Sequence, residues 1–298
     1  MNQYLSFILK GLAMGAANVI PGVSGGTIAF ITGIYQRLID ALKSFDPGAL
    51  KLLFSGKFSD FVLKTDLYFL LSIFFGIGVS ILSLAKVLEL AFLNYESYTL
   101  AFFFGLIVAS IIGVGKQISK ISVPNIIALT IGVVIAAGIA FLPPAEPNGS
   151  FIYLTICGAV AICSMILPGL SGSYILLLMG NYVLVMQAIS ALELGVLAPI
   201  AIGCIVGLIL FSRLLSYLFK NFQDFTISIL TGFVAGSLAI IWPWKITEFM
   251  ILEGGKQKPT GYKWVMPDLG TEFLIALALA MVGFFIVWAM ERWAGRKA

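Results

Sequence analysis

Two stretches of the sequence place residues that interrupt a helix beside hydroxyl groups, inside long apolar regions. They read PGVSGGT at 21–27 and PGLSGSY at 168–174. Proline removes a backbone donor and glycine permits a sharp turn, so each stretch is expected to break a helix. Ser24 and Ser171 then stand at the N-cap of a second helix, where backbone N–H groups lack partners within the helix. A broken helix inside a membrane is typical of a site for a phosphate or another anion.

The donors of this predicted site are hydroxyl and backbone N–H groups, none of which carries a full charge. The helix N-terminus adds a partial positive charge, so an anion is held there and can also be released. One Pro-Gly break is more typical of a packing kink, whereas two breaks at equivalent positions favour a functional pair. The candidate substrate-binding residues of the two breaks are Ser24, Gly25, Gly26, Thr27, Ser171, Gly172 and Ser173.

Two basic residues, Lys86 and Arg213, interrupt apolar segments further along the chain. Long basic side chains near the end of a span often extend to the membrane surface. Alternatively, both residues face a polar cavity and neutralise an anionic substrate, as intramembrane charges often do. Both interpretations stay open, and we include Lys86 and Arg213 among the candidate substrate-binding residues.

The composition is that of a membrane protein. Of the 298 residues, 60% are hydrophobic and only 11% are charged, and the mean hydropathy is +1.06. The apolar residues form long continuous runs instead of the short alternating segments of a membrane barrel. The sequence therefore predicts an all-α polytopic membrane protein.

The segments flanking the two breaks are short for membrane spans. Arms of about 12–17 residues reach roughly 18–26 Å, less than the ~30 Å hydrocarbon core, so re-entrant hairpins fit better than full crossings. The predicted arms are 4–20 and 25–36 around the first break, and 151–167 and 171–189 around the second. The predicted spans are 67–92, 98–115, 124–142, 195–219, 226–243 and 271–290.

An internal repeat relates the two halves of the chain. Pro21 and Pro168 differ by 168 − 21 = 147 positions, and Gly33 and Tyr35 match Gly180 and Tyr182 at the same offset. Further along, the offset falls to 127, where Gly76, Lys86, Gly105 and Ser110 match Gly203, Arg213, Gly232 and Ser237. The long polar loop 37–66 accounts for the difference. We therefore divide one membrane domain into repeats 1–145 and 146–298.

The charge distribution predicts the orientation. Basic residues concentrate in loop 37–66, at Lys116, Lys120 and Lys220, and in the C-terminal tail, which places these parts and both termini in the cytoplasm. The mixed segment 244–270 is then external. Each repeat has a returning hairpin and three crossings, an odd number, so the two repeats are predicted to be inverted, as in many secondary transporters.

The sequence indicates neither a cofactor nor a metal site, and it predicts no nucleic-acid partner. It contains no His, and its three Cys lie in apolar spans without the spacing of a metal site. The absence of an Asp-rich metal motif and the scarcity of intramembrane carboxylates argue against an enzyme of lipid-phosphate metabolism.

The doubled motif Pro-Gly-x-Ser-Gly, each copy followed by Gly-x-Tyr, resembles the bacterial polyprenyl-phosphate transporter family, formerly a domain of unknown function. The resemblance covers nearly the whole chain. It implies translocation of undecaprenyl phosphate, the carrier lipid of cell-wall precursors, from the outer to the cytoplasmic leaflet for reuse. Ser173 stands where the first motif has Gly26, so the two breaks differ there. A small-anion channel or exchanger built on paired broken helices stays open as an alternative, as does the oligomeric state.

Overall fold

A computed structural model describes residues 3–19, 24–251 and 257–295, and most of these residues are helical. Pro21, Gly22 and Val23 of the first motif lie outside the described residues. Four of the described helical segments are long and apolar enough to cross a membrane, or five if one bent pair forms a single span. The prediction of a helical, multi-pass membrane protein is therefore confirmed.

The first half begins with helices α1 to α3 around the first break and ends with a long bent helix and a short one. Their bounds are α1 Gln3–Val19, α2 Gly25–Ile31, α3 Tyr35–Lys43, α4 Pro47–Phe54, α5 Phe58–Thr65, α6 Leu67–Gly115 and α7 Val123–Ile139. Helix α6 has one non-helical residue, Tyr95, which lies near the start of the second of its two apolar stretches, Leu67–Leu84 and Asn94–Gly115. We call these the N-terminal and C-terminal parts of α6.

The second half repeats this order and adds a hairpin of strands. Its elements are α8 Phe151–Ile166, α9 Gly172–Leu178, α10 Tyr182–Ala191, α11 Leu194–Asn221, α12 Gln223–Ser237, β1 Lys245–Ile251, β2 Gln257–Trp264 and α13 Thr271–Gly295. The strands are antiparallel, with Lys245 opposite Trp264. Segment 244–270 thus departs from the all-helical prediction, because β1 and β2 satisfy their backbone hydrogen bonds by pairing with each other.

The prediction of a single helical arm over 171–189 is wrong. Helix α9 has only seven residues, and its axis makes an angle of 112° with that of α10. The chain turns at Gly180, where φ is +78°, and the equivalent turn between α2 and α3 occurs at Gly33, where φ is +71°. Only glycine adopts such angles without strain, so the Gly-x-Tyr motif marks a sharp turn in both halves.

Two predicted spans are also shorter than expected. Helix α7 has 17 residues and α12 has 15, which correspond to lengths of roughly 26 and 23 Å. The predicted spans 124–142 and 226–243 both continue beyond these helices, because the residues at their C-terminal ends are apolar without being helical.

Within each half, the first helix packs against a long helix through glycine. A side-chain carbon at Gly11 would meet the carbonyl of Ile73, and one at Gly76 would meet that of Ile8, so α1 lies directly on the N-terminal part of α6. Gly158 and Gly203 make the equivalent contacts between α8 and α11, at offsets of 147 and 127.

The other long helices exchange partners between the halves. Gly105 lies against the carbonyl of Ala280, which brings the C-terminal part of α6 onto α13. In the equivalent contact, Gly232 of α12 lies against the carbonyl of Leu129 in α7. Each half therefore completes its packing with a helix from the other half.

Candidate functional site

The first break is a capped helix start whose N–H groups are already paired. Ser24 is the N-cap of α2, as predicted, and its Oγ accepts from the N–H of Gly26 at 3.1 Å. The Gly25 N–H donates to Asn18 Oδ1 at 2.7 Å, and the Thr27 N–H donates to the Ser24 carbonyl at 2.9 Å. The expectation that these N–H groups point freely into the break is therefore wrong for the first motif.

The two breaks contact each other directly. Ser24 Oγ donates to the carbonyl of Met165 at 3.2 Å, and the Gly169 N–H donates to Thr27 Oγ1 at 2.9 Å. Gly26 lies so close to the carbonyl of Ile166 that a side-chain carbon would collide with it. The structure thus brings together two motifs that are 147 residues apart.

The second break has the same position but different hydrogen bonds. Ser171 is the N-cap of α9, yet its side chain does not bond the backbone of that helix. Its Oγ pairs instead with Ser173 Oγ at 2.9 Å. In the part of the chain that the structure describes, the N–H groups of Gly172 and Ser173 have no hydrogen-bond acceptor. The second break therefore keeps donors that the first break has used internally.

These donors open onto a cavity of about 250 Å³ between α8, α9, α10 and α11. Its polar lining residues are Asn18, Ser24, Ser171, Ser173 and Tyr182, and its apolar lining residues include Ile162, Met165, Leu176, Met186, Ile189 and Ile200. None of the described residues that line it is charged. The cavity therefore offers several neutral donors to an anion and an apolar wall to any hydrocarbon chain attached to it.

Neither predicted basic residue lines this cavity. Lys86 and Arg213 are both exposed on the sides of their helices, α6 and α11. Of the candidates in the two motifs, Ser24, Ser171, Gly172 and Ser173 line the cavity, whereas Gly25, Gly26 and Thr27 do not. The two basic candidates also lie outside it. In a membrane, exposed positions within apolar helices face lipid or its headgroups, where a basic side chain attracts anionic groups.

Helix α3 is fixed by polar contacts on two sides. Ser216 Oγ donates to Asp40 Oδ1 at 2.9 Å and accepts from Lys43 Nζ at 2.9 Å, which ties α3 to α11. On the other side, Arg37 makes two hydrogen bonds to Asp66, of 2.6 and 3.0 Å. These bonds raise the pKa of Arg37.

Asn18 and Tyr182 line the site although sequence reasoning did not select either of them. Asn18 is an amide within the apolar first arm, and an isolated polar residue in such an arm signals a partner or a ligand. Tyr182 closes the second Gly-x-Tyr motif, which the sequence analysis used only to align the repeats. The contact between the breaks carried no signal, because no local pattern relates Thr27 to Gly169.

Comparison with known proteins identifies the family. Residues 14–258 match the undecaprenyl phosphate translocase-like family. The chain belongs to this family. A protein of Vibrio cholerae serotype O1 (strain ATCC 39315 / El Tor Inaba N16961) named polyprenyl-phosphate transporter is 39% identical over 300 residues, which cover 98% of this chain and 97% of that protein.

A protein of Staphylococcus aureus (strain NCTC 8325 / PS 47) with the same name is 29% identical over 254 residues, covering 79% of this chain and 85% of that protein. No solved structure matches the chain. The resemblance carried by the doubled motif is thus confirmed, and the undecaprenyl phosphate translocase-like family consists of transporters, not of enzymes.

Proposed function

We propose that the protein translocates undecaprenyl phosphate from the outer to the cytoplasmic leaflet of the bacterial cytoplasmic membrane, which returns the carrier lipid to cell-envelope synthesis. The observation that carries the proposal is the cavity at the second break, where neutral donors and apolar walls meet. Family membership and the names of the two relatives support polyprenyl phosphate as the substrate.

The phosphate is held at the second break. The hydroxyls of Ser171 and Ser173 and the N–H groups of Gly172 and Ser173 donate to its oxygens, and Asn18 lies at the same cavity. Hydrogen bonds to a charged acceptor are about twice as strong as neutral ones, so several donors hold a phosphate without a cation. Because no full charge is bound, the phosphate leaves the site readily.

The isoprenoid chain lies along the apolar side of the cavity and continues into the bilayer. Met186 and Ile189 are lining residues on α10, and both are about half exposed. Apolar side chains that stay exposed in a membrane contact lipid without cost, since the lipid tails are equally apolar. The protein thus needs to shield only the headgroup during translocation.

The two repeats are inverted, with a two-fold axis in the membrane plane and both termini in the cytoplasm. The equivalent glycine contacts of α1 with α6 and of α8 with α11 support the repeat. The contact of α6 with α13 and the contact of α12 with α7 are also equivalent in the repeat, as expected if a two-fold axis relates the halves. The three crossings predicted for each repeat, an odd number, would give the two repeats opposite orientations.

Lys86 and Arg213 gather the anionic lipid from the bilayer before it enters the cavity. Replacing Arg213 with alanine should slow translocation while leaving phosphate binding in the cavity intact, and Arg213→Lys should retain most activity because the charge survives. Lys220→Ala, on the same helix, is the matched control. Normal translocation by both Lys86→Ala and Arg213→Ala would remove this role.

A reconstituted translocation assay tests the proposed function. Proteoliposomes containing the purified protein should move undecaprenyl phosphate between leaflets, without releasing inorganic phosphate. The assay is run with and without ion gradients to find the driving force. Flux of a small anion without any lipid movement would instead support the channel or exchanger.

A further inference from the structure

The cavity of the second half has a counterpart in the first half that is closed. The repeat offset of 147 relates the lining residues Ile162, Tyr182 and Met186 to Gly15, Tyr35 and Ile39, and the offset of 127 relates Cys204 to Ile77. Met186 is 46% exposed, whereas Ile39 is 0% exposed and Tyr35 only 2%. Equivalent positions thus form an open cavity in one half and packed core in the other.

One hydroxyl group in this closed counterpart and one beside it have no hydrogen-bond partner. Within the described residues, Tyr35 and Ser80 are the residues whose buried side-chain oxygen atoms are unpaired. Tyr35 packs between the rings of Phe30 and Phe219, and Ser80 lies against Gly15. Burying an unpaired hydroxyl is unfavourable, so apolar residues would pack better at both positions in a permanently closed core.

The closed half is held partly by hydrogen bonds. The side-chain bonds from α3 to α11 pass through Ser216 Oγ, which donates to Asp40 and accepts from Lys43, and Tyr35 of α3 also packs against Phe219 of α11. In the second half, α10 contributes Tyr182, Met186 and Ile189 to the open cavity. Helix α3 is the counterpart of α10 in the first half. If α3 moved away from α11, the residues equivalent to the cavity lining of the second half would become exposed in the first half.

We propose that the first half contains a second binding cavity for the same lipid phosphate, which opens when α3 separates from α11 and places the hydroxyl of Tyr35 on its wall. Tyr182 has this position in the cavity that is open. The inference rests on the proposed function and adds to it a second site, the residues that line it and the contact that keeps it closed. The two cavities then serve the lipid in turn, one open while the other is packed.

Cysteine labelling tests the second cavity with a reporter in each half. Cys204 lines the open cavity, and Ile77→Cys introduces its counterpart. Each protein carries a single reporter cysteine. Cys157 and Cys163 are replaced by alanine in both proteins, and Cys204 is also replaced in the Ile77→Cys protein. Both positions are partly exposed, but only Cys204 lines the open cavity, so N-ethylmaleimide should modify Cys204 faster than Ile77→Cys in the purified protein.

Ser216→Ala removes the side-chain hydrogen bonds between α3 and α11 without removing a charge. It should raise the labelling rate of Ile77→Cys by about tenfold, because two hydrogen bonds that favour the closed state are lost. Ser212→Ala is the matched control, since Ser212 bonds only the carbonyl of Ile209 in its own helix, and it should leave the rate unchanged. Undecaprenyl phosphate should then protect Ile77→Cys.

The outcomes separate this inference from the proposed function. If undecaprenyl phosphate protects Cys204 but does not protect Ile77→Cys in the Ser216→Ala protein, the proposed cavity of the first half is overturned and the open cavity of the second half stands. Protection of neither reporter, together with no lipid movement, would overturn the proposed function and the second cavity with it. An unchanged labelling rate in a folded Ser216→Ala protein would also overturn the inference.

A second variant avoids dependence on Ser216. Tyr35→Phe removes only the unpaired hydroxyl, so it should raise thermal stability while slowing translocation, because the open cavity loses a donor. A purely structural tyrosine would leave translocation unchanged, and that result would contradict the inference.

Discussion

Ser24 and Ser171 are both N-cap residues, but their hydroxyl groups have different partners. Ser24 accepts from the Gly26 N–H and donates to the carbonyl of Met165, so its hydroxyl is part of the folded framework. Ser171 pairs only with the hydroxyl of Ser173. Equivalent residues therefore contribute stability in one half and available donors in the other.

Alanine substitution should separate these two contributions. Ser24→Ala removes a cap worth about 1 kcal/mol, and it should lower the melting temperature by a few degrees. Ser171→Ala removes no bond to the backbone, so it should melt normally yet bind undecaprenyl phosphate about 10- to 100-fold more weakly, as expected for a lost hydrogen bond to a charged group. Thermal unfolding in detergent and a lipid-binding titration check both changes. Normal binding by Ser171→Ala would place the phosphate elsewhere.

Thr27 connects the two breaks, and Thr27→Val should test this connection. Valine has the same shape but leaves the buried N–H of Gly169 without an acceptor, which should destabilise the protein by about 1–3 kcal/mol. Thr130→Val serves as the control, because Thr130 is exposed and bonds only Ile126 in its own helix. Chemical unfolding measures the difference. Equal stability of the two variants would mean that the bond from Gly169 contributes nothing.

For individual residues, the sequence predicted where the helices start but not which hydrogen bonds form. Pro and Gly positions and the two serines are local signals, and Ser24 and Ser171 are indeed N-caps. Whether an N–H is free depends on residues distant along the chain, as Thr27 and Gly169 demonstrate. Local patterns therefore located the candidate site without showing which of its donors are available.

Among the elements, the bent helix α6 depends on glycine where α13 crosses it. Gly105 lies against the carbonyl of Ala280, so Gly105→Ala should force the helices apart and destabilise the protein by about 1–3 kcal/mol or more. Gly78 in the same helix has no atom within 4 Å of an added side-chain carbon. Gly78→Ala should therefore be neutral or stabilising by up to about 1 kcal/mol. Thermal unfolding of the two purified variants checks this contrast, and a stable Gly105→Ala protein would contradict the close crossing.

The order of the elements was predictable, but their lengths were less so. Hydropathy located α6, α11 and α13, because long apolar runs differ strongly from polar loops. It could not separate α9 from α10, since both are apolar and only the backbone at Gly180 divides them. The strands β1 and β2 were missed because the loop that contains them has mixed charge and no long alternating run.

For the whole molecule, the exchange of helices makes the halves mutually dependent. Residues 1–145 and 146–298 expressed as separate chains should assemble when produced together, because α6 needs α13 and α7 needs α12. With a different affinity tag on each chain, one tag should retrieve both. If each chain alone were folded and monodisperse in detergent, with no joint retrieval, the packing described for α6 and α13 would be wrong.

The crossing of α6 and α13 also bears on how the protein is made. The C-terminal part of α6 ends at Gly115 and its partner α13 ends at Gly295. At a synthesis rate of 5–20 residues per second, the interval between them is roughly 9–36 s. Throughout that time the face around Gly105 is covered only by lipid. Premature termination before α13 therefore leaves an inserted but unpaired helix, a natural substrate for membrane proteases, and cells should clear such fragments quickly.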